Sequence, residues 1–399
     1  MIDSALMRTA ALAAWLIGSL AHGADTIVAT TRGQLIRVGP SRDVRTIEDA
    51  ARLARSGDVV EIDPGTYENP VASWKQDDLT IRGAGAVRPR LVASDGVSAE
   101  GKAIWVIKGS RVTIENLEFS GATVVDRNGA GIRHEGGTLT VRNCRFHHNQ
   151  TGLLTWNNGE SELVVESSEF DHNAITPENR SDISHQIYVG SIARFTLRSS
   201  YFHHGAIGHL VKTRAAENRI EFNRITDETG GRSSYEVEFP NGGVAYVVGN
   251  VIEQSATTEN PAIVSFGAEG YRGTDNRLYL VNNTLVDHLG RRGRFLRVRA
   301  GGVVEAIDNL IIGGAGALEN AGPGRYVGNH RVKSTDLADV RSYDYRLRQR
   351  STLVRKAVDP DVVTGVPGLR PTREYRHPAG IASVPLSPYS PGALQSLAP

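Results

Sequence analysis

Residues 208–214 read GHLVKTR, a segment with the apolar alternation of a strand that carries Lys212 and Arg214 two positions apart. Side chains at i and i+2 of a strand share a face, so two cations would stand side by side. Such a pair is costly in a core and useful against an anion. The flanking sequence adds His185, Tyr188, His203, His204, His209, Tyr235, Glu236, Glu238 and Asn241. These types supply what β-elimination of a uronic-acid polysaccharide requires. A cation neutralises the sugar carboxylate, a base removes the adjacent proton, and an acid protonates the departing glycosidic oxygen. In that scheme Lys212 is the base, Arg214 the bidentate carboxylate clamp, and Tyr188 or His209 the acid. The competing account is a surface Lys–Glu pair across two strands, worth under ~1 kcal/mol.

Which elements would hold these groups follows from a repeat. VTIENLEF (112), LTVRNCRF (139), LVVESSEF (163), FTLRSSYF (195), NRIEFNRI (218), AYVVGNVI (245), LYLVNNTL (278) and VEAIDNLI (304) align without gaps at intervals of 23 to 33 residues. The third position is apolar throughout, from Ile114 and Val141 to Leu280 and Ala306. The eighth runs Phe119, Phe146, Phe170, Phe202, Ile225, Ile252, Leu285, Ile311. Constant columns joined by variable loops describe a solenoid, here a parallel β-helix. Asn223, Asn250, Asn283 and Asn309 at the sixth position are expected in the tight turn, in the left-handed conformation. A second strand precedes each repeat, with an inward apolar column beside an outward one of Arg133, Tyr188, Lys212, Glu238 and Arg297. The coils containing Leu153 and Ile263 cannot be placed in register. Successive coils stack about 4.8 Å apart, which makes Tyr188, Lys212 and Glu238 neighbours.

Residues 46–67, TIEDAARLARSGDVVEIDPGTY, begin with Thr46 as N-cap of a short helix that would cover the end of the solenoid. GDVVEIDPGTY resembles the start of the pectate-lyase-like right-handed parallel β-helix proteins, a family of lyases, hydrolases, epimerases and non-catalytic surface proteins. The fold expected is all-β, a single-stranded right-handed parallel β-helix over 24–330 with a short N-terminal capping helix. Residues 331–399 are expected to pack on its outside. VKTRAAENRIEFNRI resembles the lysine-base segment of the alginate and dermatan lyases of this fold, with Lys212 at the base position. Two departures weigh against their calcium-assisted mechanism. Gly205 and Ile207 stand where that family has calcium-binding carboxylates, and Glu238 stands where its next coil has an arginine.

Other chemistries fit less well. The Asp-Pro-His-Asp signature of β-helix epimerases and the clustered aspartates of polygalacturonases are absent. Glu236 and Glu238, two apart, would lie on one side of a sugar, whereas hydrolysis needs carboxyl groups flanking the bond. His148, His172 and His204, followed by Asp227, each fall two residues after the apolar column. They form either a turn-edge ladder or a metal-binding one. Arg297 and Arg299 share a strand face and would extend an anionic track, beside His185, Arg133, Tyr235 and Asn241 as substrate contacts. No cofactor is called for, with calcium left open. The partner expected is an acidic polysaccharide met by a monomer, with no nucleic acid. The alternatives are a non-catalytic carbohydrate-binding or surface protein and a glycoside hydrolase.

The 45 Lys+Arg against 44 Asp+Glu leave no global field for a polyanion, so any anion site is local. Cys144 is the single cysteine, which excludes an internal disulfide. Residues 1–23, with Arg8 ahead of TAALAAWLIGSLA and small residues at AHG-AD, resemble an export signal cleaved near Gly23. Stable membrane insertion is not expected, and the mature chain is placed in the periplasm or outside the cell.

Overall fold

A computed structural model describes residues 33–174, 184–314, 316, 318, 321–384 and 387–399. The export signal therefore lies outside the described residues. Residues 33–399 form one compact unit. Each coil contributes three short strands, as in Val112–Glu115, Glu118–Ser120 and Ala130–His134, followed by Thr138–Arg142, Arg145–His147 and Thr151–Thr155. Equivalent strands stack in parallel into sheets of twelve, eleven and nine strands.

The two apolar columns hold in register from end to end. Ile114, Val141, Val165, Leu197, Ile220, Val247, Leu280 and Ala306 are successive partners in the twelve-stranded sheet. Phe119, Phe146, Phe170 and Phe202 stack ring on ring in the eleven-stranded sheet, at centroid separations of 5.0, 4.7 and 4.5 Å. All four are fully buried, each worth roughly 1.5–3 kcal/mol of apolar transfer.

The asparagines hold the turn differently from expectation. The left-handed residue is the one before each of them, as at Phe222 (φ 57°), Asn282 (φ 49°) and Asp308 (φ 53°). Asn223, Asn250, Asn283 and Asn309 are buried and form a ladder. Asn250 Nδ2 donates to Ile220 O at 2.7 Å and to Asn283 Oδ1 at 3.0 Å, and its backbone N–H shares that same oxygen at 3.0 Å. One amide thus satisfies backbone groups of two coils, a job that only neighbours along the stack can define. Asn329 adds a further rung, accepting from Asn309 Nδ2 at 2.8 Å. Towards the N-terminus hydroxyls and a thiol continue the column, with Ser200 N–H donating to Asn223 Oδ1 at 2.9 Å. Cys144 is buried and free there, and burial pushes its thiol up to about 12.

The helix Ile47–Leu53 forms as expected, with Thr46 Oγ1 accepting from Asp49 N at 3.1 Å. Ile47 and Ala50 join the main core, and the Gln76 amide donates to the carbonyls of Ala51 and Ala54 at 2.9 and 3.0 Å. At the other end the stack closes with Gly324–Val327 and His330–Arg331. The C-terminal segment then packs outside the coils. Tyr345, Leu347 and Ala393 cover Val251, Val286 and Leu310, while Leu369 covers Val248 and Val281. Among the described residues no helix is long and apolar enough to cross a membrane.

Candidate active site

The nine-stranded sheet carries the groups that face outward. Its ladder runs Val106, Arg133, Leu154, Tyr188, Lys212, Glu238, Ser265, Arg297. Ile132, Leu153, Ile187, Val211, Val237, Val264 and Leu296 form the inward partner column. Leu154 and Ser265 thereby fix the two coils that sequence could not place. An apolar and a small residue interrupt the polar column, so no pattern marked them.

Lys212 lies at the centre of an ion-pair network. Its Nζ is 3.4 Å from Glu238 Oε2 on the next coil and 3.3 Å from Glu269 Oε1, which comes from the turn after the strand Ala262–Phe266. Arg214, just past the strand Val211–Thr213, donates through Nε to Tyr188 OH at 2.8 Å. Its Nη2 meets Glu269 Oε2 at 2.7 Å and Oε1 at 2.9 Å, and Nη1 donates to Asn241 Oδ1. Both cations also face the Tyr188 ring, at 5.5 and 5.7 Å from its centroid. Burial would raise the Glu269 carboxyl, but Arg214 and Lys212 hold it below its ordinary value.

A histidine wall stands beside this network. His209 N–H donates to His185 Nδ1 at 3.0 Å, and Tyr235 N–H donates to His209 Nδ1 at 3.3 Å. Both neutral rings therefore carry their proton on Nε2. His209 Nε2 lies 2.9 Å from Glu238 Oε2, though off the line of a good hydrogen bond. Burial drives His185 well below the ordinary histidine value and lowers His209, with Lys212 adding to both. Burial opposes ionisation of Glu238, yet His209 and Lys212 keep it below the usual carboxylate range. Tyr235 OH accepts from Arg297 Nη1 at 2.9 Å, which ties the arginine column to the wall.

Glu236 does not belong to this face. It is fully buried, accepts from Ser233 Oγ at 3.2 Å and turns towards Asp227 and Glu253. Its strand begins only at Val237, so the alternation projected from Glu238 does not reach it. This burial takes Glu236 out of the Glu236–Glu238 pair considered from the sequence. Arg133 is outward but stands three rungs from Lys212, with its guanidinium 5.4 Å from the centroid of the Trp156 ring. Arg299 is exposed and its carbonyl accepts from Tyr271 OH at 2.7 Å. Two contributors escaped the sequence. Glu269 lies in a non-repeating turn, and Trp156 is 48 % exposed at the end of the strand Thr151–Thr155.

Behind the wall sits a set of buried acids with a measurable consequence. Burial pushes Asp227 up to about 7 against donors from Ser233, Ser255 and Gly205. Away from the wall, where Val358 of the C-terminal segment donates to it, Asp308 is also pushed up to about 7 by burial. Glu236 is raised well above its ordinary value by burial and then by Asp227. These groups stay protonated in the fold while the unfolded chain ionises, so stability falls as pH rises from about 4 towards 7. Asp227→Asn is expected to remove its share of that fall, at most ~1.4 kcal/mol per pH unit for one proton. Urea midpoints across that window check it; an unchanged slope would show that Asp227 does not titrate there.

Residues 92–183 match the family model of the right-handed β-helix region. No curated protein matches the sequence. Among solved structures the chain is similar to pectate lyase Pel9A, with a TM-score of 0.62 and 13% identity over 92% of this chain and 97% of that one. It also matches ORF18 of Geobacillus virus E2 (TM-score 0.42, 15% identity, 68% of this chain and 52% of that one). A third match is rice weevil pectin methyl esterase (TM-score 0.34, 11% identity, 70% and 76%). The Pel9A likeness establishes the fold, a right-handed parallel β-helix of the pectate lyase kind. The alginate and dermatan lyase resemblance of the Lys212 segment gains no support from these matches.

Proposed function

We propose that the protein is an exported polysaccharide lyase that cleaves an acidic, uronic-acid-containing polymer by β-elimination on this face. The observation that carries it is the Glu269 carboxylate held jointly by Lys212 and Arg214, beside a tyrosine hydroxyl. Two cations that already grip a carboxylate define a carboxylate site, and a uronate would take the place of Glu269. Arg214 then neutralises the C6 carboxylate and makes the C5 proton acidic. Lys212, as the neutral amine, takes the C5 proton, and Glu238 at 3.4 Å stabilises the ammonium that forms. The C5–H electron pair forms the C4–C5 double bond, the C4–O bond breaks, and Tyr188 protonates the departing oxygen. Tyr188 OH suits that part because Arg214 Nε is its donor, which leaves the hydroxyl hydrogen free to give. His209 supports Glu238, and Trp156 with Arg133 offers a stacking platform further along the track.

No step runs through calcium. That ion takes six to eight oxygen ligands, whereas Glu238 and Glu269 are both occupied by side-chain cations. The fold of Pel9A supports a polysaccharide-acting protein, as does the length of the outward face on which Arg133, Lys212 and Arg297 stand. Export carries its own check, since mass spectrometry of the mature N-terminus is expected to find cleavage near Gly23.

Elimination leaves a 4,5-unsaturated sugar that absorbs in the ultraviolet. Screening the purified protein against alginate, pectate, glucuronan and glycosaminoglycans is expected to yield that absorbance with at least one polymer. Binding without product across the panel would instead favour a non-catalytic binding protein, a reading that the doubly ion-paired Lys212 supports. Because Glu269 competes for the clamp, Glu269→Gln is expected to tighten polymer binding by up to about fivefold, the scale of a half-exposed ion pair. Unchanged or weaker binding would show that Glu269 is not the group displaced.

A further inference from the structure

We propose that His203, His204 and Glu228, on the eleven-stranded sheet, bind a divalent transition-metal ion of the zinc class. His203 ends the strand Tyr201–His203, and His204 follows in the left-handed conformation at φ 49°. That backbone brings the two rings together, with Nδ1 of His203 and Nδ1 of His204 2.5 Å apart. A proton shared between the two imidazoles accounts for so short a contact, and a metal ion bound to both at about 2.0–2.1 Å would part the nitrogens to roughly 3.3 Å.

The surroundings prepare one ring for a metal. Glu169 Oε1 lies 3.2 Å from His203 Nε2, which holds the proton there and leaves Nδ1 as a lone pair. A carboxylate behind a ligating histidine is the usual outer support of a metal site. The third ligand comes from the next coil. A Glu228 carboxylate oxygen and one nitrogen from each ring lie within 4.8 Å of one another. Tyr201 OH and Arg224 Nη2 donate to Glu228 Oε1, Arg224 at 2.7 Å, so the carboxylate is held and ionised. Two imidazoles and a carboxylate are a known zinc ligand set, with a further position left for water.

Two neighbouring groupings are weaker. Glu169, Asp171 and His203 also converge, but Arg145 already fills that place, bonding both Asp171 oxygens at 3.0 and 3.1 Å. His147 and His148 repeat the ring contact at 2.8 Å with Glu118 behind, yet among the described residues no third ligand converges on them. The stacked column His148, His172, His204, with centroids 5.3 and 4.8 Å apart, is thus a turn-edge ladder with a metal site at one end.

Calorimetry with zinc chloride on the chelator-treated mature chain is expected to show one ion per chain with micromolar affinity. Cobalt(II) should give the visible absorption of a low-coordinate site. His204→Asn keeps a residue that tolerates the left-handed backbone and is expected to abolish uptake. Glu228→Gln should weaken it at least tenfold, Glu169→Gln by roughly 10–100-fold, and His148→Asn should leave it unchanged. If His204→Asn does not fold by circular dichroism, Glu228→Gln and the cobalt spectrum decide. No zinc uptake by the wild type, or uptake indifferent to Glu228→Gln, would overturn the proposal.

Discussion

Lys212→Ala is expected to lower the rate of double-bond formation by roughly 10²–10⁴-fold, the usual contribution of a positioned general base, while polymer binding is partly retained. The side chain stands between Tyr188 and Glu238 on a rigid stack, so its removal leaves the neighbouring rungs in place. Arg214 contacts Tyr188, Asn241 and Glu269 at once. Arg214→Ala is therefore expected to weaken binding and turnover together, because a carboxylate clamp acts in both ground and transition states. Progress curves beside equilibrium binding separate the two variants. A Lys212→Ala protein that retains wild-type turnover would remove Lys212 from the reaction.

Ile220→Asp with Val247→Asp is expected to unfold the protein. Both side chains are fully buried and are direct partners in the apolar column. Each substitution forfeits about 2–5 kcal/mol of packing and adds a buried carboxyl without a partner. The sum is comparable with the whole stability of a domain, about 5–15 kcal/mol. In a solenoid each coil leans only on its neighbours, so two adjacent broken rungs divide the stack. Circular dichroism and a cooperative thermal transition report the outcome. A soluble double variant with a native melt would contradict the ladder.

What the sequence disclosed follows from stacking itself. Phe119, Phe146, Phe170 and Phe202 fill equivalent places on successive coils, so a column of like residues appears even where loops differ in length. The outward neighbours Tyr188, Lys212 and Glu238 were legible by the same rule. Glu269 was not, because it reaches the clamp from a turn with no counterpart on other coils. Glu236 was misplaced because alternation holds only inside a strand, and that strand starts one residue later. The asparagines were assigned by their local preference for left-handed turns, whereas their bonds run along the stack. The pairing of His203 with His204 depends on a left-handed backbone that histidine rarely announces.

Elimination and hydrolysis differ in where the oxygen of the new chain end comes from. Hydrolysis inserts an oxygen from solvent; elimination inserts none and leaves a product lighter by one water. Digesting the responsive polymer in water enriched in heavy oxygen, followed by mass spectrometry of the fragments, tests the chemistry assigned to Lys212, Arg214 and Tyr188 most directly. The expected result is an unsaturated fragment without solvent label at the cleaved bond. A saturated, labelled fragment would contradict it.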